Sequence, residues 1–175
     1  MNIKKIPLFA MILALGLLLH YLVPSVIFGG MKMDFLLGTL FIGLLMADSY
    51  QEAFMLGGAS GILAALTTTF PGGQIPNILD KITAALVVYT LLHFIFAKQK
   101  DKISTIIICA VIGTIVSGLV FLTSAKILLG GLPVSFQTLF LTVVIPATIG
   151  NIGLVVILQQ ALLRVRGLFV VFKNN

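Results

Sequence analysis

Charge is scarce in this chain. Of its 175 residues 9% are charged and 59% hydrophobic, and the mean hydropathy is +1.20. A soluble domain carries about 25% charged residues, and a soluble fold of this length could not hide so much apolar surface, so the surrounding solvent must be lipid. The only histidines, His20 and His93, stand in no metal-ligand cluster, so no metal is expected. The single cysteine, Cys109, lies inside an apolar run. It excludes an intrachain disulfide and reads as a small buried hydrophobe. No phosphate-binding GxxxxGK[ST], nucleophile elbow or HExxH sequence occurs, and no paired membrane aspartates stand at a suitable spacing. A regular run of intramembrane acids for proton relay is also missing. The chain is therefore expected to be no enzyme and to hold no cofactor, and uphill movement of a solute would draw its energy from another subunit. In such a chain the net charge of +6 reports orientation, and no nucleic-acid partner is expected.

What is present is a series of apolar runs. Hydropathy places six membrane spans near residues 6–23, 34–46, 53–69, 78–96, 103–122 and 136–163. At about 20 residues per span they use most of the length, so residues 1–175 are expected to form one all-α, six-helix transmembrane domain with short loops. Span 2 is short, to be accommodated by little tilt or by extension into its polar flanks. Lys4 and Lys5 before the first run could announce a signal peptide. The run is long for a signal core and no small-x-small cleavage site follows, so it reads as a retained helix. With the N-terminus in the cytoplasm, the inner side carries Lys4, Lys5, Lys98, Lys100, Lys102, Arg164, Arg166 and Lys173. The outer side carries Lys32, Lys81 and Lys126. That asymmetry obeys the positive-inside rule with both termini inside.

Glycine and proline are placed unevenly. Gly29-Gly30, Gly72-Gly73 and Gly130-Gly131 all fall in outer loops with Pro24, Pro71, Pro76 or Pro133 nearby, whereas the inner connectors MADSYQE and KQKDK contain neither residue. Glycine permits backbone angles other residues avoid and proline fixes one. Shaped outer loops and plain inner ones follow, or else ordinary helix stops.

The polar candidates gather at the same outer face. Lys32 and Asp34 are opposite charges at the mouth of span 2. They suit the carboxylate and ammonium of a zwitterion, or equally a snorkelling lysine and a helix N-terminal charge. The stretch TTTFPGGQIPNILDK, residues 67–81, sets Gln74, Asn77, Asp80 and Lys81 between two apolar runs. Asn77 could cap a helix and Lys81 snorkel, but the whole set points to a small-molecule site, and alanine at Gln74 or Asn77 is expected to weaken binding. Phe70 and Tyr89 are candidates to hold an aromatic ligand, or else an interfacial anchor and a packed ring. Asn151, beside Gly150 and Gly153 and following Pro146, is a polar group at membrane depth that needs a ligand or a neighbouring helix as partner. His20 and His93 read as packed histidines. Asp48 and Glu52 form an acidic pair on the inner side, a solvated turn or a contact for a basic partner. Ala10 and Ala14 on span 1 have the four-residue spacing that admits a close helix neighbour.

The segments GGMKMDFLL, ALTTTFPGGQIPNILDK and IGTIVSG give the chain a resemblance to the tryptophan-transport protein family often called TrpP. This is a group of substrate-binding S components of energy-coupling factor (ECF) transporters. The resemblance covers nearly the whole chain. It implies a bacterial multi-pass protein of the cell membrane with six helices that captures tryptophan from outside. A transmembrane coupling subunit and two cytoplasmic ATPases would then drive its release inward. It also implies a site formed by outer loops 1 and 3 with the outer parts of helices 4 to 6, and it makes Ala10 and Ala14 similar to the AxxxA feature by which S components dock on the coupling subunit. The residues alone support a small, partly apolar solute with polar groups. That leaves open an S component for another vitamin or aromatic metabolite, a solitary secondary carrier, or a membrane assembly protein that transports nothing.

Overall fold

In the computed structural model, residues 5–22, 34–100 and 102–173 are described, with side chains as far as residue 164. Lys4, Pro24, the Gly29-Gly30 pair and Lys32 lie outside the described residues, as do the side chains of Arg166 and Lys173. The described chain is helical without strands. Helix α1 is Ile6–Leu22, α2 Phe35–Leu44, α3 Tyr50–Thr67, α4 Gln74–Thr90 and α5 Ile103–Leu129. Helix α6 begins as Phe136–Leu139, widens into a π-helical segment at Phe140–Val144 and continues as Ile145–Lys173. A second π-helical segment, Leu91–Ile95, ends α4.

Among the described residues, three stretches are long and apolar enough to cross a membrane: Gln74–Ile95, Ile103–Leu129 and Phe136–Arg164. Helix α2 has ten residues, which at 1.5 Å each is about half of a ~30 Å hydrocarbon core. It takes no length from its polar flanks. Instead every residue from Leu36 to Leu44 is buried, enclosed by α1, α3, α4 and α6. A half-length helix is tolerable at membrane depth because its free ends face protein, not lipid.

Several helix ends depart from the hydropathy boundaries for local reasons. Helix α3 starts at Tyr50, before residue 53, because Ser49 accepts a hydrogen bond from the Glu52 N–H at 3.3 Å. Such N-capping satisfies one free donor. Helix α4 starts at Gln74, ahead of Pro76. In a first turn the missing proline N–H costs nothing, since that donor has no intrahelical partner. The cap is Gly73, so Asn77 lies inside the first turn and does not cap it. Helix α5 runs to Leu129, past residue 122, and stops at Gly130 in the left-handed conformation, φ 70°. Gly72 is also left-handed, φ 69°, and a Cβ there would stand 2.4 Å from Leu129 Cδ2. Two of the three outer-loop glycine pairs thus turn the chain as their composition suggests.

Helix α4 packs between α3 and α5. Gly57 and Gly61 let α3 meet the α4 backbone directly: a Cβ on Gly61 would lie 2.8 Å from Ile78 Cα, and one on Gly57 2.9 Å from the Lys81 carbonyl. Small residues four apart are a standard means of close helix approach in membranes. Here they fix the rotation of α4 so that Asn77, Asp80 and Lys81 point into the bundle. The main core around Leu40, Phe41, Leu44, Ala84, Val88 and Ala110 fills the middle. A second cluster, including Phe70, Phe121, Leu139, Val143 and Val144, closes the end that carries the 68–73 and 130–135 loops.

At the opposite end Lys5 binds both the Asp48 carboxylate and the Met46 carbonyl, the latter at 2.7 Å, and lies 3.8 Å from Glu52. The Lys5 hydrogen bond holds the Asp48 carboxyl below the usual range. The acidic pair is therefore committed within the chain to the start of α1. Lys98, Lys100 and Lys102 occupy the same end, which the positive-inside rule assigns to the cytoplasm.

Candidate functional site

Each helix other than α6 contributes a polar residue to one chamber at the outer end. Its wall includes His20 from α1, Asp34 at the start of α2, Thr68 and Thr69 after α3, Asn77 and Asp80 from α4, and Thr114 and Ser117 from α5. Leu37, Ala64, Phe70, Phe121, Val143, Val144 and Ala147 supply the apolar part. The space among them is about 600 Å³, counting the part open to solvent.

The charged groups form a chain across the wall. Asp34 Oδ1 accepts from the Leu37 N–H at 3.3 Å and so caps α2, while its Oδ2 lies 2.5 Å from Lys81 Nζ. Lys81 also donates to Asp80, at 2.9 Å to Oδ2 and 3.2 Å to Oδ1. The Ser117 hydroxyl donates to Asp80 Oδ2 at 2.6 Å. His20 Nδ1 is 3.7 Å from Asp34 Oδ1. Lys81 is 1% exposed and Asp80 2%. Charges so deeply buried are costly in a membrane protein unless paired, and they mark functional positions. Here the pairing ties α2, α4 and α5 together at the mouth of the bundle. Asn77 donates from Nδ2 to the Gly73 carbonyl at 2.7 Å, which fixes its side chain at the chamber wall.

The apolar part is aromatic at its centre. The rings of Phe70 and Phe121 meet edge to face, centroids 5.3 Å apart, an arrangement favoured by the ring quadrupoles. Val143 and Val144 belong to the π-helical segment just before Pro146, which has no N–H for the regular ladder. π segments recur at functional sites, and this one turns two valines toward the chamber.

Asp34, Phe70, Asn77 and Asp80 thus meet in one chamber, with Lys81 joined to both acids. Other expected residues are placed elsewhere. Gln74 is exposed on the first turn of α4. Tyr89 lies toward the cytoplasmic end, against Tyr50 at 4.7 Å and His93 at 4.2 Å between ring centroids. Asn151 is 1% exposed and donates to Thr114 Oγ1 at 3.3 Å. It therefore stands one residue behind the wall, and its Oδ1 is buried without a partner among the described residues. Ala10 and Ala14 lie on the exposed side of α1. Thr114, Ser117 and Phe121 were not singled out from the sequence. Their i, i+3, i+7 spacing, with Thr114 and Ser117 inside the IGTIVSG run, is the signal that could have found them.

Comparison with known proteins adds a family. Residues 2–165 match the model described as "Tryptophan transporter TrpP". A Clostridium acetobutylicum protein named "Probable tryptophan transport protein" is 48% identical over 151 residues, covering 86% of each chain. Proteins of the same name from Bacillus subtilis and Clostridium perfringens are each 41% identical, covering 94% and 93% of this chain and 95% of their own. No solved structure matches.

Proposed function

The chain belongs to the tryptophan transporter TrpP family and is a multi-pass, all-α membrane protein, and on that premise we propose that its outer chamber is the site where tryptophan is captured. The observation that carries the reading is the division of one chamber into two parts. Phe70 and Phe121 form an aromatic, apolar part suited to an indole. Asp34, Asn77 and Asp80 form a polar wall suited to the charged head of an amino acid. Lys32, outside the described residues, belongs to the same mouth in sequence. Lys81 and Asn151 act from behind the wall. The chamber position does not favour Gln74 or Tyr89 as direct contacts.

The proposal includes the role of an ECF S component. A separate transmembrane coupling subunit and two cytoplasmic ATPases energise release inward, and Ala10 and Ala14 serve as the docking stripe. Two features support this: the chain has no nucleotide-binding sequence of its own, and the two alanines are exposed on α1, where another helix can approach closely. The same chamber would serve an S component for another vitamin or aromatic metabolite. One observation favours a second reading, a solitary secondary carrier: Asp34, Asp80 and Lys81 are the kind of intramembrane charges that couple ions to a solute.

The two are separated by uptake of radiolabelled tryptophan into vesicles. Uptake that requires ATP and co-reconstituted coupling subunit and ATPases supports the S component. Uptake by the chain alone, driven by an ion gradient, overturns it in favour of the carrier.

A further inference from the structure

The charges in the proposed tryptophan chamber do not cancel. Asp34 and Asp80 line it, whereas Lys81, the cation they share, is 1% exposed and forms no part of the wall. Among the described residues, two carboxylates against one ammonium leave one negative charge, and an uncompensated charge at a buried site is unfavourable. The other titratable group among the described residues that faces the cluster is His20, from α1. Several of the hydrogen-bond donors beside them are committed. Ser117 gives its hydroxyl hydrogen to Asp80, Asn77 gives an amide hydrogen to the Gly73 carbonyl, and Lys81 donates to Asp80. The fully charged groups that the described wall offers the ligand are carboxylates, of which that of Asp34 is the more open, at 22% side-chain exposure against 3% for Asp80.

We propose that the site recognises its ligand by the ammonium group, not the carboxylate. Asp34 and Asp80 are the specificity-determining residues. Lys81 is a positioning residue: it holds the two carboxylates at the wall without touching the ligand. An incoming ammonium brings the positive charge the cluster lacks and donates up to three hydrogen bonds to acceptors around it, whereas a carboxylate would meet like charge. This inference rests on the tryptophan reading above.

The test uses the full chain, purified and shown to be folded, with bound radiolabelled tryptophan displaced by tryptamine, which lacks the carboxylate, and by indole-3-propionate, which lacks the ammonium. Tryptamine should displace within about tenfold of the concentration that unlabelled tryptophan needs, and indole-3-propionate should need at least about a hundredfold more, because losing the recognised group leaves buried partners unpaired. Displacement by indole-3-propionate at the level of tryptamine or below overturns the proposal and leaves the tryptophan site standing. Absence of saturable tryptophan binding, seen before any competitor is added, overturns the tryptophan reading and this inference with it. In Asp34→Asn, tryptophan and tryptamine should weaken together by about tenfold or more while indole-3-propionate does not. Equal weakening of all three would assign Asp34 a structural role and contradict the proposal. Should that variant not fold, the ligand panel on the unmodified chain decides alone.

Discussion

Lys81 Nζ lies 2.5 Å from Asp34 Oδ2, so that the first turns of α4 are pinned to the cap of α2 by a buried ion pair. Asp34 does three things at once: it caps α2, pairs with Lys81 and lines the chamber. The stability of the outer end and the chemistry of the site therefore depend on the same side chain.

The first expectation concerns that pair. Lys81→Met leaves Asp34 and Asp80 buried without their cation, and breaking a buried pair from one side costs about 3–5 kcal/mol. The thermal midpoint of the purified protein should fall accordingly. Replacing all three groups together, Lys81→Met with Asp34→Asn and Asp80→Asn, should recover much of the loss, since no charge then remains unpaired. A Lys81→Met protein as stable as the parent would show that the ion pair contributes little.

A second expectation separates two residues three positions apart. Asn77 lines the chamber and Gln74 is exposed outside it. Asn77→Ala should weaken tryptophan binding about tenfold, or about 1.4 kcal/mol. Gln74→Ala should leave it within about twofold, as for an exposed position. Isothermal titration of both variants checks this, and the reverse order of effects would place the ligand at the first turn of α4 instead.

The aromatic pair gives a third. Phe121→Ala or Phe70→Ala removes one ring of the edge-to-face pair and should weaken tryptophan binding about tenfold, given stacking worth about 0.5–1.5 kcal/mol beyond buried area. Tyr89→Phe, toward the other end of α4, should leave binding unchanged in the same titration.

Helix packing supplies a fourth. Gly61→Ala sets a methyl 2.8 Å from Ile78 Cα and should lower stability by about 1–3 kcal/mol, measured by thermal unfolding. Gly58, three residues earlier, has nothing within 4 Å of an added Cβ, so Gly58→Ala should be neutral or slightly stabilising. Equal behaviour of the two would mean that α3 and α4 are not in backbone contact.

Much of this was open to inspection in the sequence, and the remainder was hidden for definable reasons. Asp34, Asp80 and Lys81 stood out because charge is rare in an apolar chain, and Asn77, Asp80 and Lys81 at i, i+3 and i+4 share one helix face. Distance along the helix was also computable. Tyr89 lies twelve residues beyond Asn77, which at 1.5 Å per residue is about 18 Å, too far to serve the same chamber. Gln74 lies outside the chamber for a different reason: Pro76 suggested a helix starting after it, but proline is tolerated in a first turn, and the earlier start rotates Gln74 outward. The approach of His20 and Ser117 to the two acids depends on how α1 and α5 pack, and no local pattern carries that. Gly57 and Gly61, which set the rotation of α4, resemble any other small residues in a membrane helix until their neighbour is known.

The absence of tryptophan from the chain makes one experiment direct. Tyr21, Tyr50 and Tyr89 are its only tyrosines, so indole emission excited at long wavelength comes from ligand alone. Tryptophan titrated into the purified, folded protein should show a saturable blue shift and a rise in anisotropy that neither histidine nor riboflavin displaces, as expected for an indole held against the Phe70–Phe121 pair. Unchanged emission and anisotropy at micromolar ligand would contradict the assignment of the chamber to tryptophan.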